Sequence, residues 1–267
     1  MRKLRDIFLL AKKTVTDPAG AAAELSAPGY GLGRPLAIYL ASCAAYALLL
    51  YIKPAGFPAD LAEAAAEFSG WSYARLFAVH TSSELAFTAA FCAAFTGFSG
   101  LMTGTMPEGE KLARGRRRPV FSFLSGCAAC GIYAAAAFYF KRSPLPALPF
   151  LFIALAAGYL AIRRNTPAAL AFFRFTLSAG TAELICLPAC FLAVRLRSEQ
   201  LFIVTALAAA LWTLALTIKA AKFIFGGTAV RAALAMLFAA PAVTISFYIL
   251  KNIGVIPAEI FRFMIFM

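Results

Sequence analysis

Seven runs of this chain, at about 35–52, 82–104, 120–140, 145–162, 176–195, 201–218 and 232–254, are nearly continuous in apolar residues. Each comes close to the ~20 positions a helix needs to cross a bilayer core. The signal lies in long runs rather than short alternating segments, which speaks for helices and against a barrel. Composition agrees: of 267 residues, 62% are hydrophobic and 14% charged, with a mean hydropathy of +0.81. A soluble domain carries about 45–50% apolar and about 25% charged residues. So much apolar surface cannot be hidden in one aqueous core, so soluble, disordered, collagen-like and disulfide-scaffold classes drop out. The expected fold class is all-α, a polytopic helical membrane protein forming a single membrane domain over 1–267. Pro144, Pro146 and Pro149 crowd the start of the fourth run.

The distribution of basic residues tests the count of spans. The formal net charge is +13, which in a soluble chain would suggest nucleic acid; in a membrane protein it points to cytoplasmic loops facing anionic lipid, and no nucleic acid is expected. With the N-terminus inside, one set of segments holds Arg2, Lys3, Arg5, Lys12, Lys13 and Arg34, then Lys111, Arg114, Arg116, Arg117 and Arg118. The same side holds Arg163, Arg164 and Arg174, then Lys219, Lys222 and Arg231. The opposite segments hold only pairs: Lys53 and Arg75, Lys141 and Arg142, Arg195 and Arg197, Lys251 and Arg262. Seven spans, N-terminus cytoplasmic and C-terminus outside, satisfy the positive-inside rule at every loop. The expected location is the bacterial cytoplasmic (inner) membrane.

The N-terminal segment, MRKLRDIFLLAKKTV, has too short an apolar run for a signal peptide. Leu4, Ile7, Phe8, Ala11 and Val15 recur at helical spacing among basic residues, so residues 1–17 are expected to form an amphipathic interfacial helix. Pro18 disfavours helix at Asp17 and ends it. In the mildly acidic outer loop 53–81 (Asp60, Glu63, Glu67), Leu61, Ala64, Ala65 and Phe68 suggest a short surface helix, with Trp71 and Tyr73 as interface anchors. Residues 165–175 read as a cytoplasmic interfacial helix leading into the fifth span. All six cysteines (Cys43, Cys92, Cys127, Cys130, Cys186, Cys190) fall in apolar stretches, as packing residues do.

Candidate sites are few. Glu183 lies inside the fifth span, where a charged carboxylate costs several kcal/mol unless paired, protonated or wet. Pro188, five residues on, leaves the Leu184 carbonyl without its helical donor, and a buried acid beside a helix break suits a transport site. The plainer reading is a protonated Glu183 hydrogen-bonded to a neighbouring helix. His80 and Glu84 stand four apart on one face at the outer end of the second span, as an ion pair, a proton relay or simply headgroup-level hydrogen bonding. One histidine and one carboxylate do not make a zinc site, and no metal or cofactor is expected. Cys127 and Cys130 have a Cys-x-x-Cys spacing but lie within a span without redox context, next to Gly126 and Gly131. Gly100 and Gly104 form a Gly-x-x-x-Gly suited to close helix approach, within the bundle or between copies of the chain. Pro241 is expected to kink the last span. The basic cluster Lys111, Arg114, Arg116, Arg117 and Arg118 fits anionic headgroups or an acidic partner, or serves topology alone. No nucleotide loop or nucleophile motif is present, and no enzymatic activity is expected.

The C-terminal half carries a further pattern: Ala182 to Pro188 early in a span, the apolar helix Trp212-Thr-Leu-Ala-Leu-Thr-Ile-Lys219, a turn at Gly226-Gly227-Thr228, and Arg231-Ala-Ala-Leu opening the last span. Near the N-terminus, Pro18 precedes Ala23-Glu24-Leu25 and the first span. These stretches resemble the Yip domain family (Ypt-interacting proteins) of integral membrane proteins, in its bacterial form. The resemblance implies five spans with a cytoplasmic N-terminus and a non-catalytic role in organising membrane lipids or partner membrane proteins. Eukaryotic relatives act with Rab GTPases through a long cytoplasmic tail, whereas here only about 34 residues precede the first span. Against the five-span pattern, residues 105–165 read as an inserted helical hairpin, which preserves the orientation of all that follows. The expected partners are anionic lipid headgroups at the cytoplasmic face, other membrane proteins or a second copy of the chain. The alternative function is a proton-coupled transporter or lipid-handling permease using Glu183, with His80 and Glu84.

Overall fold

The computed structural model describes residues 2–54, 57–58, 68, 70–102, 166–252, 254–258 and 260–261. Every regular element among them is a helix: α1 (Arg2–Thr16), α2 (Pro18–Leu25), α3 (Gly33–Ile52), α4 (Tyr73–Met102), α5 (Thr166–Ala179), α6 (Thr181–Leu196), α7 (Glu199–Phe225) and α8 (Ala229–Asn252). Five segments are long and apolar enough to cross a membrane: Gly33–Ile52, Tyr73–Ser99, Thr166–Leu196, Glu199–Phe225 and Ala229–Asn252. They coincide with the first, second, fifth, sixth and seventh runs expected from sequence. The third and fourth runs, the hairpin 105–165, Cys127, Cys130, Gly104 and most of the loop 53–72 lie outside the described residues.

Two boundaries differ from the sequence expectation. α4 starts at Tyr73, so residues 73–81 of the stretch assigned to an outer loop (53–81) are its first turns. Arg75, His80, Ser82 and Ser83 lower the hydropathy there, yet the Tyr39 hydroxyl donates to the Thr81 carbonyl at 2.6 Å and ties these turns to α3. The segment at 165–175 is not a separate interfacial helix: α5 continues to Ala179, the break falls at Gly180, and Phe172 and Phe175 are fully buried. The span Thr166–Leu196 has 31 residues, about 46 Å at 1.5 Å per residue, and overreaches a ~30 Å hydrocarbon core. α6 and α8 run through Pro188 and Pro241 as single helices.

The chain divides into two compact units: Met1–Thr88 with Ala171–Ile224 and Arg262–Met267, and Ala89–Leu170 with Phe225–Phe261. In the second, Phe95 is fully buried with its ring edge-to-face on Phe225 (5.3 Å), and Phe98 packs on Phe238 (6.1 Å).

In the first unit α3 packs chiefly on α6, and α1 lies on α2, α3 and α6. Small side chains let the helices approach: Ala21, Ala22, Ala179, Ala182 and Ala220 are fully buried in one cluster with Leu10, Leu25, Ile38 and Phe175. Asp17 ends α1 and caps α2, accepting the Gly20 amide at 3.0 Å, with Pro18 as the first helical residue. Arg174 of α5 donates to the Leu25 carbonyl at 2.9 Å, satisfying the C-terminal end of α2. Burial pushes the Tyr30 phenol in the α2–α3 connection up, while the neighbouring Arg34 pulls it down.

The outer surface is the reverse of a soluble protein's. Along α7 the exposed side chains are Ile203, Val204, Leu207, Leu211 and Leu214, and only 11% of this span's apolar window is buried. Such a stripe in water would be an aggregation surface; against lipid tails it carries no penalty.

A close helix–helix approach sets the position of the candidate site. A Cβ on Gly180 would stand 3.2 Å from both Cβ and Oγ of Ser42, so the missing side chain lets α3 close on the α5–α6 junction. Gly180→Leu is expected to destabilise the protein by about 1–3 kcal/mol through overpacking, and Gly180→Ala by less. Thermal unfolding in detergent tests this, and a midpoint unchanged in Gly180→Leu would contradict the close approach.

Candidate functional site

Polar side chains of α3, α4 and α6 converge within the first unit. On α3, Tyr39, Ser42, Cys43 and Tyr46 follow the i, i+3, i+4, i+7 pattern of one helical face. On α4, His80, Ser83 and Glu84 do the same. On α6, Glu183 falls in the first turn. Each group lies near the middle of its own span. Ser42 has about 15 Å of helix on either side within Gly33–Ile52, and Glu84 and Glu183 lie near the middle of their own spans.

The Ser42 hydroxyl donates to Oε2 of Glu183 at 3.3 Å, a long bond made possible by the bare Gly180. Tyr46 stacks on His80 with ring centroids 5.0 Å apart. The Ser83 hydroxyl donates to the His80 carbonyl at 3.1 Å. The carboxyl groups of Glu84 and Glu183 are within electrostatic reach of one another, and both act on the Tyr46 phenol and the Cys43 thiol. His80 is buried, Glu84 half-buried, and Glu183 keeps an open side.

An ionised carboxylate at the bilayer centre costs about 2.5–3.5 kcal/mol even on the lenient insertion scales, and a second one nearby adds repulsion. Glu183 lies in the first turn of α6, but α5 ends directly before it at Ala179 and Gly180 keeps helical angles, so the two helix dipoles largely cancel there. Two full negative charges are therefore unfavourable, and one charge plus a proton is favoured over them. Among the described residues no group of three His, Cys, Asp or Glu side chains is arranged to hold a metal ion.

The sequence reading singled out Glu183, His80 and Glu84, and the structure brings these into one neighbourhood. It places His80 and Glu84 deeper than expected, because α4 begins earlier. The α3 contribution was missed, although the spacing of Tyr39, Ser42 and Tyr46 in an otherwise apolar run was the available signal. Cys43, Cys92 and Cys190 are buried, unbridged packing residues. The cluster Lys111, Arg114, Arg116, Arg117 and Arg118 lies outside the described residues.

No family model, no curated protein and no solved structure matches the chain. The comparisons thus give no support to the resemblance to Yip-domain proteins.

A double-mutant cycle tests the central contact. Ser42→Ala should cost about 1 kcal/mol in the wild type and close to nothing in Glu183→Leu, leaving a coupling of about 0.5–1.5 kcal/mol. Additive effects in detergent unfolding would show that the two side chains do not meet.

Proposed function

We propose that this chain is a proton-coupled membrane permease whose working centre is the Glu84–Glu183 pair, for a small solute or a lipid. One observation carries the reading: polar side chains of three helices gather near mid-span, with Ser42 hydrogen-bonded to Glu183, Tyr46 stacked on His80, Glu84 one turn from His80, and Glu183 open on one side. Placing two acids within membrane-spanning helices is expensive, and a bundle that needs only packing would use apolar side chains there. Glu183 takes and releases the proton, Glu84 holds the alternative position for it, and Ser42 orients Glu183. His80 and Tyr46 form the polar wall toward the end of α3. The proposed topology is the seven-span one, with a cytoplasmic N-terminus in an inner membrane.

A second reading, a non-catalytic Yip-like organiser of lipids or partner membrane proteins, is favoured by a different observation. α1 packs on the bundle through Ile7, Leu10, Ala11 and Val15, yet leaves Leu4, Phe8 and Leu9 exposed. In this reading the polar pair only locks α4 to α6, and α1 with the basic cluster at 111–118 meets membrane or partner.

The readings separate in proteoliposomes loaded with a pH-sensitive dye and offered a panel of solutes and phospholipids. The permease should show proton movement driven by one of them, reduced at least tenfold in Glu183→Gln and in Glu84→Gln, both folded by gel filtration. Wild-type flux persisting in both variants, or no proton movement with any of the panel, would count against the permease.

A further inference from the structure

An open pocket of about 440 Å³ lies between α1, α2 and the start of α3, apart from the carboxylate pair. Its cationic lining is Lys12, Lys13 and Arg34, its acidic lining Asp6 and Glu24, and Leu9 and Leu10 supply an apolar wall. Two of the cations already have partners. Lys13 pairs with Glu24 at 3.0 Å and Arg34 with Asp6 at 2.9 Å, each pair partly exposed. Lys12 is exposed and has no ion pair among the described residues.

We infer that this pocket binds the phosphate headgroup of an anionic membrane lipid, with Lys12 and Arg34 on the phosphate and an acyl chain along Leu9. Three observations converge on a lipid. The lining carries one net positive charge, and the unpaired Lys12 supplies it. Arg34 is the second residue of a span, which puts its guanidinium at the edge of the hydrocarbon, and its planar fork matches two phosphate oxygens. The apolar lining is itself bare: Leu9 is 49% exposed. A soluble phosphate would leave this side chain uncovered, whereas a lipid's own chain covers it. Partly exposed ion pairs exchange partners readily, so a phosphate can replace Asp6 on Arg34 at little cost. Tyr30 lies beneath, its ring faced by Arg34 at 5.8 Å and Arg174 at 6.0 Å, which restrains the Arg34 side chain.

The test is native mass spectrometry of the full chain released from nanodiscs of mixed phosphatidylglycerol and phosphatidylcholine. The protein should retain phosphatidylglycerol preferentially, and Lys12→Gln and Arg34→Gln should each weaken the preference about fivefold, the usual effect of one basic residue at an anionic surface. Asp6→Asn, which frees Arg34, should strengthen it, while Arg231→Gln should leave it unchanged. Arg34→Gln could perturb folding; Lys12 is exposed and unpaired, so Lys12→Gln keeps the test decisive. Equal retention of the two lipids, or a preference untouched by Lys12→Gln, overturns the proposal. Displacement of the lipid by millimolar inorganic phosphate also overturns it, in favour of a soluble-anion site.

Discussion

The approach of α3 to the α5–α6 junction governs how the first unit is built. At Gly180 there is no side chain to hold the helices apart, and Ser42 comes within 3.2 Å of where one would begin. This contact places a hydroxyl beside Glu183 at mid-span and lets Leu49 pack with Leu187, Cys190 and Val194 further along the same pair of helices. In lipid the hydrophobic effect gives little reason for one apolar helix to prefer another over the solvent, so close van der Waals packing and buried polar contacts must supply the preference. Small residues, Gly180 and the buried alanines, do the first; Ser42, Tyr39 and Tyr46 do the second.

Much of this was legible in the sequence because the bilayer imposes a length. Five runs of the expected size reappear as spans, and Asp17-Pro18 ends α1 where the proline requires it. What was not legible follows from the same physics. Hydropathy averages over a window, so the polar first turns of α4 read as loop, although Tyr39 and Tyr46 provide partners that make a helix there affordable. α1 was read as a helix with one apolar face. It has two uses for that face: Ile7, Ala11 and Val15 pack on the bundle, while Leu4 and Phe8 point away. Periodicity within one helix cannot say how an apolar arc is divided between neighbours. The convergence of Glu84 with Glu183, a hundred residues apart, depends on tertiary arrangement, and no local pattern reports it.

The two candidate regions make different demands on the lipid. Glu84 and Glu183 lie near the middle of apolar helices long enough to cross a membrane, where charge is least tolerated. The pocket under α1 sits at the start of a span, where cations meet headgroups and apolar side chains are covered by acyl chains. α1 touches α2, α3 and α6, the last of which carries Glu183. Lipid bound at the pocket would therefore bear on one of the two helices that hold the acidic pair.

The most direct test of this account is disulfide trapping of Ser42→Cys with Gly180→Cys in native membranes, with the native cysteines, including the adjacent Cys43, replaced by alanine. The Cβ separation implied by the structure is close to the 3.5–4.5 Å that a disulfide spans. Near-complete cross-linking under mild oxidation is the predicted result. Two cysteines that both react with a membrane-permeant maleimide, yet form no bond under the oxidant, would show that α3 and α6 do not meet at this level, and the site built on Glu183 would have to be abandoned.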